Sequence, residues 1–283
     1  MKKKPAESLK NSIVKRALSG NCNICGVRCR LTWDHVPPKG SAAIGPMDQQ
    51  TVLQHLATRH GGDHRYSISQ NGVKFRTLCG KCNNDILGAQ CDPALNDFTD
   101  RVTRNVSSVL ALPRTVHVNA RPSQLVRAIF GHLLAAKGQI EDSVPDRQMR
   151  VYFQNHALHV PHGLKVFYWL HPYHNVVIIR DVVMPAVRGR FGQKPGMFSI
   201  LKFFPMGYLV TDLGQYEGLT ELTHYARIAG GAEIALPISL KRVEHPRWPE
   251  IVDDGNFLAG GQSVQSSILA EPRNVCGRGK LKY

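Results

Sequence analysis

The sequence predicts an α+β protein: a small cysteine-bounded module followed by a larger mixed, β-rich domain. Three observations carry this. Two Cys-x-x-Cys pairs, Cys22/Cys25 and Cys79/Cys82, enclose a short stretch of strand character and a long polar excursion. Segments of alternating polarity crowd the second half of the chain. Between these regions lies one apolar stripe at helical spacing, made of Leu125, Val126, Ile129, Phe130, Leu133 and Leu134. At 283 residues the chain has room for one large or two modest domains.

Residues 1–20 read as a basic N-terminal helix, with Leu9, Ile13, Val14, Ala17 and Leu18 on one face and Gly20 as its stop. Residues 21–104 form the cysteine-bounded module. Arg30 to Trp33 has strand character, and Pro37-Pro38 ends it. Residues 39–70 are rich in Gly, Ser, Gln and His, with a short helix expected over Gln49–Ala57. Val73–Leu78 alternates as a half-buried strand does. A helical turn is expected over Asn84–Leu87, ended by Gly88, and then a helix over Asp92–Val102, capped by Asp92 with Pro93 at its first position. Residues 105–261 read as an α+β accessory or recognition domain. Its expected elements are a strand over Thr115–Val118 and a helix from Ser123 to Gly138. Further strands are expected over Arg150–Gln154, Leu158–Val160, Lys165–Leu170, Val176–Val183, Phe198–Phe204, Tyr208–Thr211 and Glu233–Leu236, with a hairpin turn at Asn155-His156. Residues 262–283 are expected to be a flexible basic tail.

The net charge is +15 and the isoelectric point about 9.7, which favours a polyanionic partner. The excess is positive on both sides of residue 104. No apolar run approaches the ~20 residues that span a bilayer, and the N-terminus lacks the apolar stretch of a secretory signal, so no membrane partner is expected. A reducing, cytoplasmic location follows as an expectation. There, paired Cys-x-x-Cys knuckles read as metal ligands rather than disulfides. Cys22, Cys25, Cys79 and Cys82 can supply four thiolates to one tetrahedral Zn²⁺. Of the seven cysteines, Cys29, Cys91 and Cys276 remain, ordinary thiols by default, with Cys29 and Cys91 near enough in sequence to be reserve ligands.

Between the knuckles stand Asp34 and His35, and Asn83 follows the last cysteine. Phosphodiester hydrolysis needs an activated water, charge relief on the phosphate and stabilisation of the leaving oxygen. A neutral histidine suits the first task, and a hard divalent cation on oxygen ligands suits the other two. Asp34 offers a charged oxygen and Asn83 a neutral one. Neighbouring residues of a regular strand point to opposite sides, so Asp34 and His35 share a cleft only if the break at Pro37-Pro38 relaxes that alternation.

The order Cys-x-x-Cys, Asp-His-x-x-Pro, Leu-Cys-x-x-Cys-Asn resembles the HNH endonucleases of the ββα-metal (His-Me finger) group, and is similar to the zinc-containing phage junction-resolving endonucleases. The resemblance covers roughly residues 20–100. It implies a zinc-stabilised ββα finger and His35 as the base that activates water. It implies Asp34 and Asn83 as ligands of a catalytic Mg²⁺ or Mn²⁺, and Zn²⁺ at the four cysteines as purely structural. DNA is the implied substrate, with RNA left open. A role in phage defence or mobile elements follows by analogy. The sequence departs from the family in two places. The usual middle Asn has no clear counterpart, Asn71 being the nearest and standing in a turn before Gly72, and the Pro38-to-Val73 insertion is long. The competing reading is a zinc-stabilised nucleic-acid-binding protein without catalysis.

Other features have plainer readings. His55, His60 and His64 form a polar loop before a second metal site. Arg28, Arg30, Lys39, Arg76 and Lys81 suit phosphate contacts or solvent equally. Tyr168, Trp169, His171, Tyr173 and His174 read as core aromatics and surface histidines before a ligand pocket, and Gly189 to Lys194 as a basic turn. The expected partners beyond nucleic acid are a second copy of the chain, since cutting both strands needs two sites or two events, and an activating ligand or protein at the C-terminal domain.

Overall fold

The computed structural model describes residues 17–42, 45–52, 54–55, 66–184, 196–212, 218–240, 244–249 and 267–273. Strand β1 (Ser19–Asn21) enters the first cysteine knuckle and β2 (Arg28–His35) leaves it, antiparallel to β1. The chain then departs for a distant sheet as β3 (Met47–Thr51) and β4 (Ser67–Ser69), and returns as β5 (Lys74–Cys79), antiparallel to β2. Gly72 turns the chain into β5 at φ 65°, a left-handed conformation that costs glycine nothing. β5 runs into helix α1 (Lys81–Cys91), wound with wide π-type turns, and α2 (Asp92–Val106) continues from it.

After β6 (Thr115–Ala120) come α3 (Pro122–Ala135) and α4 (Val144–Gln154). Then follow β7 (Lys165–Leu170), β8 (Val176–Met184), β9 (Gly196–Phe203), β10 (Met206–Thr211), β11 (Thr220–Glu221), α5 (Leu222–Ala229), β12 (Ile234–Ser239) and β13 (Ile268–Pro272). The sheets are β1-β2-β5, an eight-stranded β11-β7-β10-β9-β8-β13-β3-β4, and the pair β12-β6. All pairings are antiparallel. The large sheet is buried on both faces. One side joins a core that runs from Cys22 through the helices to Ala270, and the other packs Val52, Trp169, Ile200 and Trp248. Both the sheet and the main core take residues from either side of residue 104. Among the described residues, no helix is long and apolar enough to cross a membrane.

Several elements differ from the sequence expectation. Arg150–Gln154 is the end of a helix, because Ser143 accepts a hydrogen bond from the Asp146 N–H and starts α4 upstream. Of the helix expected over Gln49–Ala57, Gln49–Thr51 belongs instead to strand β3, since β13 and β4 pair with it on both sides, while Val52, Gln54 and His55 are helical. Leu158–Val160 is not a strand, and Asn155 follows a helix instead of turning a hairpin. The helix expected at Asn84–Leu87 passes through Gly88 to Cys91. Ile268–Pro272, expected in a flexible tail, lies inside the large sheet between β8 and β3. Ser19–Asn21 is a strand; residues 1–16 of the expected N-terminal helix lie outside the described residues, as do His60, His64, Cys276 and the Gly189–Lys194 turn.

Helix α3 organises the interior. It is enclosed from Leu125 to Ala135. Gly131 lets it approach two neighbours: a β-carbon there would sit 2.6 Å from Leu87 Cδ1 on α1 and 2.7 Å from Phe153 Cε2 on α4. Gly131→Ala is therefore expected to lower unfolding free energy by ~1–3 kcal/mol through overpacking, despite the better helix propensity of alanine, as read from denaturant unfolding.

Candidate functional site

The first knuckle is a tight turn in which Cys22 N–H donates to Val27 O at 3.0 Å and Gly26 N–H to Cys22 O at 2.9 Å. The second stands where β5 becomes α1, with Cys82 N–H donating to Cys79 Sγ at 3.3 Å. Cys25 and Cys79, 54 residues apart in sequence, bring their sulfurs to 3.9 Å. All four sulfurs lie within 4.8 Å of one another. A tetrahedron with Zn–S bonds near 2.3 Å sets sulfurs about 3.8 Å apart, so the four cysteines can hold a structural metal such as zinc. Cys29 and Cys91 are not part of this cluster. Cys91 is buried, and burial pushes its pKa up to about 12. Within the cluster the hydrogen bond from Cys82 draws the Cys22 thiol down to about 5, while Cys82 itself is pushed up by the same contact. Thiols packed this closely cannot all ionise unless a cation shares them.

The knuckle is fastened to α3. Asn23, buried, donates from Nδ2 to Leu134 O and Lys137 O, both at 3.0 Å. Thr77 donates to Ala135 O at 2.6 Å. These side chains satisfy carbonyls that a helix C-terminus leaves without intrahelical partners. Thr77 reaches α3 because it is the extra residue of an irregularity in the β2–β5 register: Thr32 pairs with Leu78, and Trp33 with Arg76.

From Trp33 to His35 the alternation holds. Asp34 is buried and points inward; Trp33 is exposed, and the half-buried His35 shares its face. The break at Pro37-Pro38 comes after His35 and does not bring Asp34 and His35 to one side. Inward, Asp34 Oδ2 lies 3.2 Å from His132 Nδ1, and His132 Nε2 lies 2.9 Å from Asp92 Oδ1. Burial lifts the Asp34 pKa, opposed by His132. Burial alone would lower that of His132, but the two carboxylates overcome it and carry it up to about 10. His132 thus bridges two aspartates, whose carboxylates favour its protonated form. Sequence reasoning missed His132, and an isolated histidine within an apolar helix stripe offers no signal of its partners.

Asn83 is buried at the start of α1 and donates from Nδ2 to Thr32 Oγ1 at 2.9 Å and to Trp33 O at 3.0 Å. Both amide hydrogens are used, and its oxygen is what remains to bind anything further. Thr32 lies on the Asp34 face of β2. On the opposite face the His35 ring bonds the backbone of Asn71, in the turn before Gly72, while Nε2 is shielded and has no hydrogen-bond partner. That contact favours the protonated ring, against the burial that disfavours it. Burial first, then the charges of Lys74 and Lys39, lower the His35 pKa to about 4.

A second group of acidic oxygens, on Glu141, Asp146 and Asp181, also lies within 4.8 Å. Lys137 Nζ fills it, bonding all three carboxylates, and Arg180 Nη2 reaches Asp146 at 2.8 Å. This is an internal ion network, closed by a cation of the chain itself. Tyr168 and Trp169 are core residues; His171 is buried, and burial lowers its pKa to about 3. His55, buried, lies 2.9 Å from Gln50 through Nδ1.

No protein-family model, no curated protein and no solved structure matches this chain.

Two outcomes follow for the metal centre. Metal analysis of the purified chain is expected to give about one zinc, lost with a chelator together with a large fall in the thermal midpoint. Asn23→Ala is expected to cost ~1–3 kcal/mol in denaturant unfolding, because it strands two buried carbonyls.

Proposed function

We propose that the protein is a metal-dependent endonuclease of the HNH type, with His35 activating water. The observation that carries this reading is the state of His35. Its ring lies against the Asn71 backbone, its buried Nε2 has no hydrogen-bond partner, and Lys74 and Lys39 lie near enough to shift its pKa. A base needs a neutral imidazole with an unengaged nitrogen, and a phosphodiester needs those charges. The antiparallel β2–β5 pair leading into α1, anchored by four cysteines, is the arrangement expected of a ββα finger, and it supports the reading.

In this reading Asp34 and Asn83 would hold Mg²⁺ or Mn²⁺ through hard oxygen donors. The cation would relieve charge on the phosphate and on the leaving oxygen. Asp34 already bonds His132, so a cation would share that carboxylate with the His132 ring. DNA is the proposed substrate, and the overall charge of +15 supports a polyanion. The proposed setting is a phage-defence or mobile-element nuclease in the cytoplasm.

One observation favours the second reading, a zinc-stabilised binding protein without catalysis. Asp34 is buried and engaged, on the face of β2 opposite to His35. Plasmid cleavage separates the two. With Mg²⁺ or Mn²⁺ present, wild type is expected to nick or linearise plasmid, and His35→Ala to lose ~10²–10⁴-fold of the rate while keeping its zinc. Equal behaviour of the two proteins, with zinc retained, removes the catalytic role.

A further inference from the structure

Trp33 is the exposed tryptophan of this chain; Trp169 and Trp248 are buried. One exposed ring alone means little. Its neighbours give it meaning. Arg76, its cross-strand partner, places its guanidinium carbon 5.1 Å from the ring centroid. His35, two residues along on the same face, pairs with Lys74. Two residues of strand span about 6.6 Å, a step that one nucleotide can bridge. Lys39 follows on the exposed turn after His35. The outward face of β2–β5 therefore combines an aromatic surface, a guanidinium stacked on it and two lysines, beside the half-buried ring of His35.

We propose that this face is a seat for an unpaired nucleotide: a base stacks on Trp33, opposite Arg76, and its phosphate lies toward Lys74 and Lys39, next to His35. The ligand class is single-stranded nucleic acid, or an unpaired segment of a duplex, gripped by stacking and charge rather than by base identity. A base within a regular duplex has both faces covered by its neighbours and cannot use Trp33. The inference rests on the nucleic-acid reading of the same site, but not on cleavage.

The test is equilibrium binding of the zinc-loaded full chain without added Mg²⁺ or Mn²⁺. Fluorescence anisotropy is read with a labelled single-stranded oligonucleotide and with the same sequence as duplex. Wild type is expected to prefer the single strand and to show quenching of tryptophan emission on binding. Trp33→Ala is expected to lose about tenfold or more of single-strand affinity, with little change for duplex, and Trp33→Phe to keep most of it. Lys74→Ala is expected to weaken both and to flatten the salt dependence. If Trp33→Ala binds the single strand as wild type does, while Lys74→Ala weakens it, nucleic acid binds here without stacking and this inference is overturned. If wild type binds neither form, the nucleic-acid reading itself fails and takes the inference with it.

Discussion

Helix α3 is enclosed on every side, yet it and Lys137, two residues beyond it, carry buried basic groups, and the rest of the protein is arranged to meet them. Arg127 donates to the carbonyls of Tyr152 and His156, at and beyond the end of α4, and its guanidinium lies 3.9 Å from the Tyr152 ring centroid. His132 takes Asp34 from β2 and Asp92 from α2. Lys137 takes Glu141, Asp146 and Asp181, and so reaches the large sheet. Removing one partner of such a buried pair costs about 3–5 kcal/mol, because the other charge stays behind. The cysteine knuckle, the helices and the sheet are therefore bound to one another through the ionic partners of a single helix. The C-terminal carbonyls of that helix are completed by Asn23 and Thr77 from the metal-binding region.

This arrangement ties chemistry to architecture. Asp34 stands where the inside of the hairpin meets α3, and its carboxylate is oriented by a residue that lies far along the sequence. His35 stands one residue on, facing outward among lysines. A change in how α3 sits against β2 would move Asp34 without moving the outward face. Two adjacent residues thus answer to different parts of the molecule: Asp34 to the packing of the interior, His35 to the turn at Asn71-Gly72.

The parts legible in the sequence were those whose chemistry is local. Two Cys-x-x-Cys pairs can be read from spacing because a metal imposes it, and the Leu125–Leu134 stripe can be read because a buried helix repeats every few residues. The strands β7 to β10 showed themselves as apolar or alternating runs. What stayed hidden depended on partners remote in sequence. Arg127, His132 and Lys137 read as ordinary polar residues until their acceptors are placed. Met47–Thr51, polar in its middle, is a strand only because β13 and β4 flank it. The helix that includes Arg150–Gln154 does carry a local start signal, Ser143-Val144-Pro145-Asp146, with the acidic residue three positions after the serine.

Strand β13 enters the large sheet between β8 and β3, although it is assembled from residues 268–272. On one side it meets a strand from the first fifth of the chain, on the other one from the second half. Until the ribosome has released that stretch, β3 and β4 have no neighbour to join on the β13 side, and β8 presents an unpaired edge. Backbone groups of an open strand edge invite pairing with other chains. Sequence-distant pairings also form slowly. The order of synthesis therefore leaves the sheet in two incomplete pieces from the making of β10 until β13 emerges. The last segment acts as a keystone whose arrival closes both edges at once.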